Sequence, residues 1–129
     1  MSLVSESPHK ILVVDDEWMN REIMETILTS AGYQVFLANS PEMALAVAEV
    51  HHPALAIIDV RLPHEDDGYT LCRSFRHLPE FANMRIVMMT ALDDDSERRK
   101  AHEAGADAFL TRVLSVSVLV DKINDLLYT

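Results

Sequence analysis

The stretch "ILVVDDE", Ile11 to Glu17, decides how the rest of the chain is read. A continuous run of isoleucine, leucine and valine this short reads as a strand covered on both faces. Two aspartates come directly after it, so its carboxyl end carries two negative charges. Working outward, the same kind of run recurs at "QVFLA" (Gln34 to Ala38), "ALAII" (Ala54 to Ile58), "RIVMMT" (Arg85 to Thr90) and "AFLT" (Ala108 to Thr111). Longer segments with helical periodicity lie between and after them. Met19, Ile23, Ile27 and Ala31 form one stripe; Leu71, Cys72, Phe75 and Leu78 a second; Val116, Leu119, Val120, Ile123 and Leu127 a third. Ser40-Pro41 is a helix-start signal for "EMALAVAEV". Gly32 and Gly105 stand where helices should end. "SERRKAHEA" (Ser96 to Ala104) has few apolar residues and is expected to lie loosely on the surface. Strand and helix alternate about five times, which implies right-handed crossovers and a parallel sheet with helices on both faces.

The bulk numbers agree. A chain of 129 residues suits one domain, and 49% hydrophobic with 25% charged residues is the balance of a soluble globule, not a disordered chain. Residues 1–9 read as a flexible arm, in part an expression leader, ahead of a single domain over 10–129. The opening "MSLVSESPHK" lacks the apolar centre of a signal peptide, and no apolar run nears the roughly 20 residues of a membrane span. The single cysteine, Cys72, suits a reducing, cytoplasmic setting and reads as a buried small hydrophobe. A net charge of −10 leaves no basic stripe for direct nucleic-acid binding. Acids cluster instead at Asp15-Asp16, Glu65-Asp66-Asp67 and Asp93 to Asp95, with Asp59 between.

In a parallel α/β sheet the site lies beyond the carboxyl ends of the strands. Those ends carry Asp15-Asp16, Asp59, Thr90-Ala91 and Thr111-Arg112. If the four strands are neighbours, three carboxylates, a hydroxyl and a guanidinium converge on one edge. Such a bowl suits magnesium, a hard ion that takes oxygen ligands and prefers to bind with a phosphate. A carboxylate can be the nucleophile that forms an aspartyl phosphate, with magnesium offsetting its repulsion of the incoming group. Asp59, alone at its strand end, is the best nucleophile candidate, and Thr90 and Arg112 are donors for the phosphoryl oxygens.

"ILVVDDE", "AIIDVRLP…DGYTLCRSFR", "VMMTALDDD" and "AHEAGADAFLTR" together resemble the receiver (response-regulator) domain family of two-component signalling, over Lys10 to nearly the last residue. The resemblance implies a flavodoxin-like (βα)5 three-layer sandwich with a five-stranded parallel sheet in the order 2-1-3-4-5. It implies that Asp59 accepts a phosphoryl group from a histidine kinase or a phosphotransfer protein. Mg2+ would be bound directly by Asp16, Asp59 and the backbone carbonyl of Arg61, and through water by Asp15. Thr90 would swing towards the phosphoryl group while Phe109, the switch aromatic, turns inward. That change would remodel the helix 4–strand 5–helix 5 face for an output domain, a partner protein or a second copy. No enzyme activity is implied beyond phosphorylation and dephosphorylation of Asp59 itself.

Three departures stand against that pattern. The family's lysine-proline after the fifth strand is Arg112-Val113 here. Arginine is a wider planar fork than lysine. Without proline a cis peptide costs about 2.5–4 kcal/mol, so a trans bond or a strained cis one, with a changed loop over 113–115, is expected. "DVRLPHEDDG" is one residue longer than the family's spacing, which places the insertion within His64 to Asp67. Two residues past the acceptor stands Arg61; it or Arg112 could salt-bridge the acidic bowl in place of magnesium. These departures support an alternative, a pseudo-receiver that binds partners without phosphorylation. A phosphatase would want an acid where Arg61 stands, and a flavin site a phosphate loop where "DDEWMN" stands.

Overall fold

Each apolar run forms a strand in the computed structural model, which describes residues 8–62, 64, 67–91, 94–112 and 115–128. In chain order the elements are β1 (Lys10–Val14), α1 (Trp18–Ser30), β2 (Gln34–Ala38), α2 (Pro41–His51), β3 (Leu55–Asp59), α3 (Asp67–His77), a short 3-10 turn (Pro79–Phe81), β4 (Arg85–Thr90), α4 (Asp95–Ala104), β5 (Ala108–Thr111) and α5 (Val116–Leu127). The strands are all parallel in the order β2-β1-β3-β4-β5. Successive strand side chains point to opposite faces, so the core divides in two. Leu12, Val14, Ile58, Ile86 and Met88 pack against α2, α3 and α4 through Ala44, Tyr69, Phe75 and Ala101. Ile11, Val13, Ile57, Val87 and Met89 pack against α1 and α5 through Met24, Leu28, Leu119 and Ile123. The result is the three-layer, flavodoxin-like arrangement the alternation and the resemblance imply.

Caps stop the helices where the sequence signals them. The Ser40 hydroxyl accepts the Met43 amide, and Pro41 fills the first turn of α2. Gly105 closes α4 at φ +98°, in the left-handed region that favours glycine.

Three expectations are corrected. The outer strands β2 and β5 are only partly buried, because an edge strand carries less cover than a central one. On α1 the buried residues are Met24 and Leu28, whereas Met19 and Ile23 are 56% and 53% exposed. The two rows lie side by side on the helix, and the position of the sheet, not the apolar pattern, selects between them. Finally, α4 does not lie loosely. Glu97, Ala101 and Ala104 are buried, the Tyr69 hydroxyl donates to the Glu97 carbonyl (3.1 Å) and carboxylate (3.3 Å), and the Cys72 thiol donates to the Ala104 carbonyl (3.3 Å). Two buried side chains of α3 thus pin both ends of a helix that has little apolar surface of its own.

Arg76 holds together what the apolar core does not reach. Its Nε donates to the Gly105 carbonyl (2.8 Å), its Nη1 to the Met84 carbonyl (2.6 Å), and its Nη2 to Asp107 Oδ2 (2.7 Å). The same Asp107 oxygen accepts the Ile86 amide (2.8 Å). Methionine at position 76 fills similar volume but leaves carbonyls unpartnered, at about 1–3 kcal/mol each when buried. We expect Arg76→Met to lower stability by about 2–4 kcal/mol, read from the urea midpoint. Arg76→Lys should not restore it, since an ammonium cannot spread over these partners.

Candidate functional site

Backbone pairing carries the sheet one residue past three strand ends. Asp15 N–H donates to the Ala38 carbonyl (3.1 Å), Val60 N–H to Met89 (3.0 Å) and Arg112 N–H to Thr90 (2.9 Å). Val14 is registered with Ile58, Asp59 with Met89, and Thr90 with Thr111. The side chains of Asp15, Asp59, Thr90 and Arg112 therefore leave adjacent points of one rigid edge. An open depression of about 370 Å³ is lined there by Asp16, Glu17, Asp59, Arg61, Thr90, Ala91 and Arg112.

Ligand oxygens of Asp15, Asp16 and Asp59 come within 4.8 Å of one another, the only such acidic group among the described residues. Asp15 is buried, Asp59 half-buried and Asp16 exposed. The Glu17 amide donates to Asp15 Oδ1 (2.9 Å), and the Arg61 amide donates to Asp59 Oδ1 (3.4 Å). Arg112 reaches in from the end of β5, and its Nη2 sits 2.6 Å from Asp15 Oδ2 and 3.1 Å from Asp59 Oδ2. The expectation that Arg61 or Arg112 bridges the acids is met by Arg112.

Burial pushes the Asp59 carboxyl up to about 6; Asp15 adds to the rise, while Arg112 and the Arg61 amide oppose it. Burial acts to lower Arg112, but the Asp59 and Asp15 carboxylates outweigh it and hold its pKa above the ordinary value. Burial also pushes the Cys72 thiol up to about 11, so Cys72 is a protonated core residue and no nucleophile.

The other expected residues fall in different surroundings. Thr90 is buried beside the depression. Phe109 is half-buried, and the Arg98 guanidinium lies over its ring at 5.1 Å from the centroid. Asp67 accepts the His64 amide at 3.1 Å within its own loop. Pro63, Glu65, Asp66, Asp93, Val113 and Leu114 lie outside the described residues, and with them the expectations for the Arg112–Val113 bond and the inserted loop. Two partners were not foreseen from the sequence. Arg21 Nη1 donates to the Asp15 carbonyl (2.7 Å), and Tyr69 grips Glu97. A cation six residues after an acid and a tyrosine 28 residues before one are not local patterns.

A family model described as the response regulator receiver domain matches residues 11–124. The chain is a response regulator receiver domain. The receiver is 40% identical over 118 residues to the "Probable transcriptional regulator ycf27" of Cyanophora paradoxa, covering 92% of this chain and 48% of that protein. It is 39% identical over 125 residues to the transcriptional regulatory protein GltR of Pseudomonas aeruginosa, covering 96% and 51%. The chain thus spans about half the length of these curated relatives. The chemotaxis protein CheY4 of Vibrio cholerae superposes with a TM-score of 0.87 at 25% identity, over 93% of this chain and 99% of that one. No helix of the receiver's described residues is long and apolar enough to cross a membrane.

Proposed function

We propose that this receiver is a phospho-accepting switch whose acceptor is Asp59. The observation that supports it best is the position of Asp59. It ends a central strand, between the Asp15-Asp16 carboxylates on one side and Thr90 and Arg112 on the other. The donor is the phosphohistidine of a histidine kinase or a phosphotransfer protein. An Asp59 carboxylate oxygen attacks phosphorus, an O–P bond forms, and the N–P bond breaks. The imidazole nitrogen leaves with the electron pair and takes a proton from water. The hard, all-oxygen donor set fits Mg2+. Asp15, Asp16, Asp59 and the Arg61 carbonyl would hold it, and it would offset repulsion between acceptor and phosphoryl group.

The half-buried Phe109 and buried Thr90 are the switch residues. The added charge of about −2 draws the Thr90 hydroxyl and frees space that Phe109 fills, which changes the α4–β5–α5 face. That face serves an output domain, a partner protein or a second copy. The protein acts in the cytoplasm without direct nucleic-acid or membrane contact by this domain, and residues 10–129 form one unit; the expectation of an arm over 1–9 lies, for residues 1–7, outside the described residues. A pseudo-receiver is the second reading, favoured by the ties from Arg112 to Asp15 and Asp59.

Incubation with Mg2+ and acetyl phosphate, followed by intact mass within seconds of acid quenching, separates the two. The switch gains one phosphoryl group in a metal-dependent reaction. No gain at any time point, with a known receiver labelled in parallel, leaves the pseudo-receiver.

A further inference from the structure

We infer that Arg112 is the receiver's own counter-cation at the acidic site, which a divalent cation must displace in order to bind. The inference deepens the metal-binding reading above and rests on it.

One nitrogen carries the geometry. Arg112 Nη2 takes an oxygen from each of two carboxylates, Asp15 Oδ2 at 2.6 Å and Asp59 Oδ2 at 3.1 Å. The second oxygen of each is already held by a backbone amide, Glu17 on Asp15 and Arg61 on Asp59. All four oxygens of the pair are therefore engaged before any metal arrives. Of the groups that hold them, only the Arg112 side chain can leave without moving the backbone.

Its reach depends on its chemistry. The guanidinium is a fork at the end of a long stem, so a side chain that starts beside Thr90 passes Asp59 and arrives at Asp15 on the far side of it. A lysine ammonium is a strongly hydrated point charge and competes less well for two carboxylates at once. The contact is also sheltered, with side-chain exposures of 26%, 6% and 13% for Arg112, Asp15 and Asp59. Water and salt weaken it less than they would a surface pair. The consequence is competition: metal affinity is set low by a built-in cation, and every bound metal ion releases one guanidinium.

Titration calorimetry with magnesium chloride, at constant ionic strength and pH 8, tests this on the wild type, Arg112→Gln, Arg112→Lys and Asp16→Asn, each checked for native circular dichroism. Arg112→Gln should bind Mg2+ at least tenfold more tightly than the wild type, with Arg112→Lys between them and Asp16→Asn weaker than all. Arg112→Lys keeps the charge, so it stands in if the glutamine variant does not fold; tighter binding by it alone still supports the inference. Equal dissociation constants for the wild type and the Arg112 variants overturn the inference and leave the metal reading intact. No binding by the wild type or by any variant overturns both.

Discussion

Asparagine at position 59 should do two opposite things: abolish uptake of a phosphoryl group and stabilise the metal-free receiver above pH 6. The first rests on chemistry, because a carboxamide oxygen is too weak a nucleophile to form the acyl phosphate. Intact mass after acetyl phosphate treatment should show full loss of the adduct, and a persisting one would move the acceptor elsewhere. The second rests on linkage. Burial raises the Asp59 pKa from 3.8 to about 6 in the fold. A carboxyl so raised contributes most to stability when protonated, below its unfolded value, and that contribution is lost as pH rises through about 6. Removing the charge should therefore add about 1–2 kcal/mol at pH 8, less than the full shift converts to, because the shift is already net of the Arg112 pairing and asparagine does not reproduce every contact of a protonated carboxyl. At pH 4 the difference should nearly vanish. Thermal denaturation of both proteins at the two pH values, in EDTA, reads it directly. A variant less stable than the wild type at pH 8 would show that the Arg112 pairing outweighs the cost of burying the carboxylate.

Gly68→Ala should be the most damaging single methyl in the molecule. Gly68, in the first turn of α3, is pressed onto the end of β3, where its amide donates to the Val60 carbonyl at 2.7 Å. A Cβ there would lie 2.0 Å from the Asp59 carbonyl oxygen and 2.8 Å from Val60 Cα. Both are backbone atoms of the central sheet, so neither can swing aside. The first turn of α3 must lift off the strand. The move would disturb Tyr69, whose grip on Glu97 pins α4. We expect a loss of about 3 kcal/mol or more, seen as a large drop in the urea midpoint, with Asp59 displaced in the remaining folded molecules. Gly105 offers a contrast. There the nearest atom to a new Cβ is Arg76 Cγ at 2.8 Å, on a flexible side chain, and the main penalty is the positive φ.

Much of the fold was legible in the chain itself. Short Val/Ile/Leu runs mark strands because a central strand must be apolar on both faces, and all five appear within a residue or so of their expected bounds. The acids at the strand ends were legible for the same reason. Where a run ends, the next residues must stand at the sheet edge, and the parallel topology gathers those edges together. Ser40 and Gly105 were readable because a cap is a local contact. The stripe on α1 was not, since two adjacent apolar rows compete and only the neighbouring sheet decides between Ile23 and Leu28. Nor was the anchoring of α4. Its sequence is mostly charged, and its hold comes from Tyr69 and Cys72 on another helix.

The sequence by itself thus determined the elements, their alternation and the residue types at the sheet edge, because each depends on periodicity or on neighbours a few positions away. The motifs supplied the strand order through a family likeness. Only the tertiary structure decided where the long side chains end. Arg112 could have faced solvent, paired with Asp59 alone or taken the path of a lysine. It bridges Asp59 and Asp15, the latter 97 residues away in the chain, because the sheet register brings their oxygens within reach of one nitrogen. A flexible arginine has many rotamers of similar energy, and the choice among them belongs to charges that no local pattern brings together.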